Sequence, residues 1–139
     1  MKNTNIICTN CGKTFPVGRV DPRCDSCAEP LEVKRVKAGR ITDGDILCQT
    51  ILERYADFFP FSKGEGTISL KEGYTPLIES SKLASELGIE SLHFKNESQN
   101  PTWSFKDRGT VSGVNHALSL GYKRIGTVSS GNMAVSVAA

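Results

Sequence analysis

The stretch NPTWSFKDRG, residues 100–109, decides the fold because a strand before it gives way to a helix within it. Glu90–Lys95 has the composition of a strand, whereas apolar residues after Lys106 recur at helical spacing and predict a helix over Ser104–Leu120. A lysine amine at such a junction can form an imine with an aldehyde. Lys106 is therefore the candidate catalytic residue.

Two further points concern the start of this helix, its capping pattern and a second interpretation of Lys106. Ser104-Phe105-Lys106-Asp107 matches a capping box, the exchange of side-chain and backbone hydrogen bonds that starts many helices. The alternative interpretation of Lys106 is an exposed lysine in an ion pair with Asp107 or Glu97, as is usual for a lone surface lysine.

A second polar loop, Ser129-Ser130-Gly131-Asn132, follows the predicted strand Arg124–Ser129 and opens a helix over Gly131–Ala139. Backbone amides at the start of a helix are free to bind anionic oxygens. The Asn132 side chain can also donate a hydrogen bond to a ring oxygen. Such a loop is often a simple cap, but it follows Lys106 in the next strand-to-helix turn. The two turns together predict a site for an aldehyde cofactor that carries a phosphate.

The segments before this stretch continue the alternation of strands and helices. Thr67–Leu70 and Leu77–Ile78 are predicted strands, and Ser80 or Ser81 caps a helix that ends at Gly88. This alternation predicts an α/β fold of parallel βαβ units. Ligands in such sheets bind beyond the carboxyl ends of the strands, where Lys106 stands.

Four of the five cysteines form two Cys-x-x-Cys pairs near the N-terminus. Two such pairs can surround a zinc ion tetrahedrally, and four thiolates leave no position for water, which predicts a structural metal. Residues 1–36 are therefore predicted to be a zinc-ribbon module, closed by a strand over Leu31–Val36 and stabilised by the metal. Two disulfides are the alternative, but they need an oxidising compartment. The predicted ligands are Cys8, Cys11, Cys24 and Cys27.

The same module offers a different class of function, the binding of nucleic acid. Seven lysines and arginines make residues 13–40 basic, but Phe15 is the one aromatic residue there for base stacking. The net charge of +2 is also mild. A solvated charged face is the preferred interpretation, and no nucleic-acid partner is predicted. The fifth cysteine, Cys48, is predicted to be a small buried apolar residue.

The rest of the chain divides in two. Residues 37–66 are predicted to be a linker with a helix over Asp45–Phe59, which Pro60 ends, and residues 67–139 the first part of a catalytic domain. No run approaches the ~18 apolar residues of a membrane span, and no signal peptide is recognisable, which favours a cytoplasmic protein. Because the last helix ends mid-face without a cap, we expect residues 1–139 to be the N-terminal part of a longer protein.

Three segments carry a resemblance to a known family. NESQNPTWSFKDRG, residues 96–109, closely resembles the cofactor-lysine motif of threonine synthases, pyridoxal 5′-phosphate enzymes of the tryptophan synthase β-like fold (fold type II). EGYTPL, residues 72–77, resembles their Glu-Gly-x-Thr-Pro-Leu segment, and residues 129–132 resemble their asparagine loop. Some members also carry a cysteine-rich ribbon. The likeness is good over residues 46–139 and looser over the ribbon.

This resemblance implies a role for each site residue. Lys106 would hold the cofactor as an imine and move protons between substrate carbons, and Asn132 would bind the oxygen of the cofactor ring. Ser130, Gly131 and Met133 would present the loop amides to the substrate carboxylate. The family reaction converts O-phosphohomoserine and water into threonine and phosphate, with the cofactor as an electron sink. The implied substrate is a small phosphorylated amino acid. Apart from the resemblance, a homodimer is the expectation for a full-length protein, and no membrane partner is predicted.

Two positions depart from the family pattern. Glycine is common where Trp103 stands, and threonine where Met133 stands. Trp103 is predicted to pack against the sheet. Serine or threonine dehydratase and cysteate synthase use the same lysine and asparagine and remain alternatives. The family's glycine-rich cup for the cofactor phosphate and its partner for the pyridine nitrogen lie further along the chain. We therefore expect residues 1–139 to be inactive alone.

Overall fold

The computed structural model describes residues 4–35, 39–44, 49–61 and 67–139. Cys48 and the first residues of the predicted helix Asp45–Phe59 lie outside the described residues. Every helix among the described residues is too short or too polar to cross a lipid bilayer.

The N-terminal module, residues 4–35, is a three-stranded antiparallel sheet. Its strands are β1 (Thr4–Cys8), β2 (Thr14–Phe15) and β3 (Leu31–Arg35), with β1 in the centre. The predicted strand over Leu31–Val36 is thus confirmed over its described part. Alternate residues of β1 point inward, as expected for a strand with one covered face. The buried residues of this small core are Ile6, Cys8, Phe15 and Cys24.

The segment that follows contains a shorter helix than predicted. Helix α1 (Ile51–Arg54) begins with a capping box, in which Thr50 Oγ1 accepts from the Glu53 amide at 3.2 Å and Glu53 Oε2 accepts from the Thr50 amide at 2.7 Å. A 3₁₀ turn follows over Ala56–Phe58. Phe59 is extended because a residue before proline is excluded from the helical region. The predicted continuous helix to Phe59 is therefore wrong.

Strands β4 (Leu77–Glu79) and β5 (His93–Lys95) flank helix α2 (Ser81–Leu87) and pair antiparallel, so the predicted parallel βαβ unit is wrong here. The Ser80 amide donates to the Leu92 carbonyl at 2.9 Å, which closes the connection at its base. A parallel crossover needs a dozen or more residues to bring the chain back along the strand, and this connection is at that lower limit. The whole segment instead forms a long hairpin.

Helix α2 ends where the sequence predicts. Gly88 is its C-cap, with a positive φ of 67°, whereas Ser80 stands at the N-cap position without a capping hydrogen bond from its side chain. The Gly88 amide donates to the Ala84 and Ser85 carbonyls, and the Ile89 amide also donates to the Ala84 carbonyl. A left-handed residue at this position is what lets the chain turn back at the end of a helix.

Helix α3 (Lys106–Ser119) carries the core of the second half of the chain. Val111, 2% exposed, packs with Leu52 and Phe61. The ring of Phe61 also stacks on His116, with centroids 6.0 Å apart. The predicted helix over Ser104–Leu120 is thus confirmed within two residues at each end. Burial of this face joins the segment around α1 to α3.

Two predicted strands are absent from the described residues. In Thr67–Leu70, Asn115 of α3 takes the place of a neighbouring strand: it accepts from the Ile68 amide at 2.9 Å and donates to the Ile68 carbonyl at 2.7 Å. Arg124–Ser129 has no pairing strand within the described ranges and is exposed. Helix α4 (Asn132–Ala138) follows it and packs against α3. The fold is thus α/β, but without the predicted parallel order.

We expect Asn115→Ala to lower the free energy of unfolding by about 1–3 kcal/mol, because it leaves two backbone groups of Ile68 without partners. Ser119→Ala is the matched control, since that exposed hydroxyl donates only to the His116 carbonyl of its own helix. Urea unfolding of the full-length protein measures both, and equal effects of the two substitutions would contradict the assignment.

Candidate functional site

The four predicted metal ligands lie together. Their Sγ atoms are all within 4.8 Å of one another, with 3.4 Å between Cys8 and Cys27 and 3.7 Å between Cys11 and Cys24. Four sulfurs held about 2.3 Å from one zinc ion at tetrahedral angles lie about 3.8 Å apart. The separations fit a metal and are too long for disulfides, and all four thiols are free.

Each cysteine pair sits on a knuckle of the same geometry. The Gly12 amide donates to the Cys8 carbonyl at 3.2 Å, and the Ala28 amide donates to the Cys24 carbonyl at 2.9 Å. Both turning residues are left-handed, with φ of 71° at Gly12 and 59° at Ala28. Gly12 reaches this region without the steric cost that Ala28 bears. The two knuckles aim their sulfurs at one point.

Backbone amides stabilise the thiolate form of two of these cysteines. Burial raises the pKa of the Cys8 thiol, but the Cys11 and Asn10 amides and the neighbouring thiols lower it to about 6. In Cys24 burial also raises the pKa, and the Ser26 and Cys27 amides lower it below its usual value. Metal binding requires thiolates, so these amides favour the metal-binding form of Cys8 and Cys24. In Cys11 the Lys13 amide lowers the pKa, but hydrogen bonds with the neighbouring thiols and burial raise it to about 11.

The basic residues of the module are largely neutralised where they meet Phe15. Lys13 Nζ lies 2.6 Å from Asp25, and Arg19 pairs with Asp21 at 3.5 Å and Asp25 at 3.8 Å. Both cations lie over the Phe15 ring, which is 8% exposed. A ring covered in this way is a poor platform for base stacking.

Lys106 is the first residue of α3 and is half-buried. Its backbone amide donates to Ser104 Oγ at 3.2 Å. Its Nζ lies 4.2 Å from the centre of the Phe105 ring. Among the described residues its amine forms no ion pair, since Asp107 and Glu97 both have other partners. The amine is thus available at the edge of the helix.

Asp107 fixes the same turn from inside. It is fully buried, accepts from the Thr102 amide at 2.8 Å, and also accepts from the Thr102 hydroxyl. Burial raises the pKa of Asp107, but the Thr102 groups and the nearby Ser136 hydroxyl lower it below its usual range. The predicted capping box is therefore wrong in its partner, because Asp107 closes on Thr102 instead of Ser104.

Arg108 fixes the turn from a third side through a bidentate ion pair. Its Nε and Nη2 each lie 2.8 Å from an oxygen of Glu97. Glu97 Oε1 also accepts from Thr75 Oγ1 at 3.0 Å, and Oε2 accepts from Asn100 Nδ2 at 2.9 Å. The bonds from Arg108 outweigh partial burial and, with those from Asn100 and Thr75, lower the pKa of Glu97 to about 2. The pair stays ionised at neutral pH.

This network joins the EGYTPL and NESQN segments, and sequence reasoning missed it. The Gly73 amide donates to Asn100 Oδ1 at 3.0 Å, and Asn100 is 2% exposed. The available signal was a glutamate and an arginine of opposite charge within one motif, Glu97 and Arg108. A spacing of eleven residues has no pairing rule, so the contact could not be read from pattern.

The second predicted loop lies beside the first turn of α3. Thr110 Oγ1 is 3.5 Å from Met133 Sδ, and Thr110 stands one turn after Lys106 on the same helical face. Asn132, next to Met133, is exposed at the start of α4. The starts of α3 and α4, which carry Lys106 and Asn132, are therefore neighbours.

The amides of this loop are not equivalent. The Gly131 amide donates to Ser129 Oγ at 3.2 Å and is engaged within the loop. Within the described ranges, the amides of Ser130, Asn132 and Met133 make no hydrogen bond to another residue. These three amides can donate a hydrogen bond to a ligand oxygen without first breaking another bond.

Trp103 does not pack against the sheet, and that prediction is wrong. Its side chain is 83% exposed, and its φ of 58° lies in the left-handed region. Its amide donates to the Asn100 carbonyl at 2.8 Å, which closes the turn before Ser104. The turn requires a conformation that glycine adopts without strain, whereas a bulky side chain adopts it only at a cost.

We expect Trp103→Gly to raise the free energy of unfolding by about 1 kcal/mol, because it relieves the left-handed strain. Phe105→Gly, at an exposed aromatic residue with φ of −60°, is the control and should lower it instead. Thermal unfolding of the full-length protein followed by circular dichroism checks both. Destabilisation by both substitutions would contradict the strain.

Comparison with known proteins places this arrangement in a family. The profile described as pyridoxal-phosphate dependent enzyme matches residues 68–139. A threonine synthase of Methanocaldococcus jannaschii is 38% identical over 137 residues, 95% of this chain and 33% of the relative. One of Methanosarcina acetivorans is 35% identical over 96% of this chain and 33% of the relative. One of Bacillus sp. is 42% identical over 89 residues, 64% of this chain and 25% of the relative.

The chain spans about a third of the length of the first two relatives. The segment that matches the family profile is more than half of the chain and contains Lys106, the Glu97–Arg108 pair and the Asn132 loop. The chain therefore belongs to the pyridoxal-phosphate dependent enzyme family.

Proposed function

We propose that the chain carries the catalytic lysine of a threonine synthase, which converts O-phosphohomoserine and water into threonine and phosphate. The observation that carries the proposal is the amine of Lys106 on a fixed helical turn, beside the start of α4. The threonine synthases similar to this chain support the choice of reaction.

The described residues offer partners for two adjacent groups of pyridoxal phosphate, its aldehyde and its ring oxygen. Lys106 offers an amine outside any ion pair within the described ranges, and the exposed Asn132 offers an amide for the ring oxygen. When bound, the cofactor supplies two groups: an aldehyde, which can bond to an amine, and an aromatic ring, which withdraws electrons from the substrate. We assign none of the described residues to the cofactor phosphate.

In this proposal Lys106 performs the proton transfers. Its amine would hold the cofactor through the aldehyde and, as a base and acid, would carry protons between substrate carbons. The free amides of Ser130 and Met133 hold the substrate carboxylate. The Gly131 amide joins them only after its bond to Ser129 Oγ opens. Met133 stands where threonine is common in the family, and its sulfur contacts Thr110. Because methionine has no hydroxyl to bind the substrate, other contacts select the substrate in this proposal.

We further propose that the four cysteines hold one structural zinc ion and that the protein works in the cytoplasm, where thiols remain reduced. The metal would take the role of a core in the N-terminal module, which buries few apolar side chains. With four thiolates around it, the ion has no open position for substrate.

Lys106→Ala in the full-length protein with added pyridoxal phosphate should remove the visible absorbance band of lysine-bound cofactor. It should also lower phosphate release from O-phosphohomoserine on the order of 10³-fold or more. The control is Lys82→Ala, at an exposed lysine of α2, which should keep both. A folded Lys106→Ala variant that retains the band would overturn the assignment.

Metal analysis of the full-length protein should find one zinc ion per chain. Cys11→Ser should lose it and lower the thermal midpoint, because the module then lacks its cross-link. Cys48→Ser, at the cysteine outside the two pairs, is the matched control and should keep the metal. Full zinc content in the Cys11→Ser variant would contradict the four-cysteine site.

A further inference from the structure

The ion pair between Glu97 and Arg108 is partly exposed, yet its geometry is that of a rigidly held pair. The two side chains are 29% and 33% exposed, and an exposed ion pair contributes little to stability. Here, however, both guanidinium contacts are 2.8 Å long and bidentate. A planar fork that meets a carboxylate in this way fixes orientation as well as distance. The geometry suits a positioning role.

Buried partners hold the acceptor in place. Asn100, 2% exposed, donates to both the backbone carbonyl and a carboxylate oxygen of Glu97, at 2.8 and 2.9 Å. Thr75, 4% exposed, donates to Glu97 and accepts from Arg108 Nη2 at 3.2 Å. The carboxylate is thus tied to two separate loops before it meets the guanidinium. The pair cannot turn without breaking buried hydrogen bonds.

The backbone of Gly73 lies close to one side of the Arg108 guanidinium. A Cβ on Gly73 would come within 3.1 Å of Arg108 Nη1 and 2.4 Å of Ile51 Cγ2, and the φ of Gly73 is 86°. Gly73 therefore allows the close approach of its loop to Arg108. Its amide is held by Asn100 at the same time. The loop, the ion pair and α1 form one packed unit.

Helical geometry links this unit to the amine. Arg108 stands two residues after Lys106, and residues two apart project from nearly opposite sides of a helix. Arg108 thus anchors the first turn of α3 on the side away from Lys106. Asp107 anchors the same turn to Thr102, and neither contact involves the lysine amine. The Lys106 side chain is left free while its backbone is fixed.

We infer that Glu97 and Arg108 are positioning residues that hold the backbone of Lys106 so that its amine meets the cofactor and the substrate in one orientation. This inference rests on the proposed function. A displacement of about 1 Å at a reacting group can lower a rate about 100-fold. The ion pair therefore controls the turnover rate and the orientation of the bound cofactor more than substrate affinity.

The test uses Arg108→Lys in the full-length protein, because lysine keeps the charge but loses the bidentate fork. We expect kcat to fall about 10- to 100-fold with KM changed less than about 3-fold, and the visible circular dichroism per bound cofactor to weaken. We also expect amides at the start of α3 to exchange faster in cofactor-free protein. The control is Arg124→Lys, at an exposed arginine, which should change none of these.

Different results separate this inference from the proposed function. If the wild type binds cofactor and turns over but Arg108→Lys keeps kcat, dichroism and exchange unchanged, the positioning role is wrong and the proposed function stands. If the wild type shows no lysine-bound cofactor, the proposed function is wrong and this inference falls with it. Should Arg108→Lys fail to fold, Glu97→Gln gives the same test, with the exposed Glu86→Gln in α2 as its control.

Discussion

The first turn of α3 is fixed by hydrogen bonds and an ion pair that do not involve the side chain of Lys106, the proposed catalytic group. The Lys106 amide donates to Ser104 Oγ, and buried Asp107 accepts from the Thr102 amide. Arg108 forms a bidentate ion pair with Glu97. A reactive amine on a long, flexible side chain gains precision chiefly from the rigidity of its backbone. Gly73 of the EGYTPL loop lies close to both Arg108 of this turn and Ile51 of α1, and its amide donates to Asn100, so the position of that loop depends on the turn.

The two halves of the chain are stabilised by different physics. The second half buries apolar residues of α3 against the segment around α1, and it satisfies polar groups with buried amides such as Asn115 and Asn100. The N-terminal module buries four residues in its core, two of them cysteines. Such a module is too small to be held by its core alone, and its four sulfurs are spaced as a tetrahedral metal would require.

Features set by residues close together in the sequence could be predicted, whereas contacts between distant residues could not. The sequence predicts the cluster of the four cysteines from their spacing. It also predicts the Gly88 cap and the helix after Lys106 from local residue patterns. The strand over residues 67–70 failed because Asn115, 47 residues away, satisfies that backbone instead. The antiparallel order of β4 and β5 and the Glu97–Arg108 pair are set by tertiary packing, for which neither periodicity nor charge spacing has a rule.

The role of Lys106 can be tested most directly by chemical modification. Borohydride reduction of the full-length protein loaded with pyridoxal phosphate fixes the cofactor to the amine that holds it, and peptide mass mapping then identifies the modified lysine. We expect the pyridoxyl group on Lys106 and on no other lysine of residues 1–139. Modification of a different lysine, with Lys106 unmodified, would contradict it.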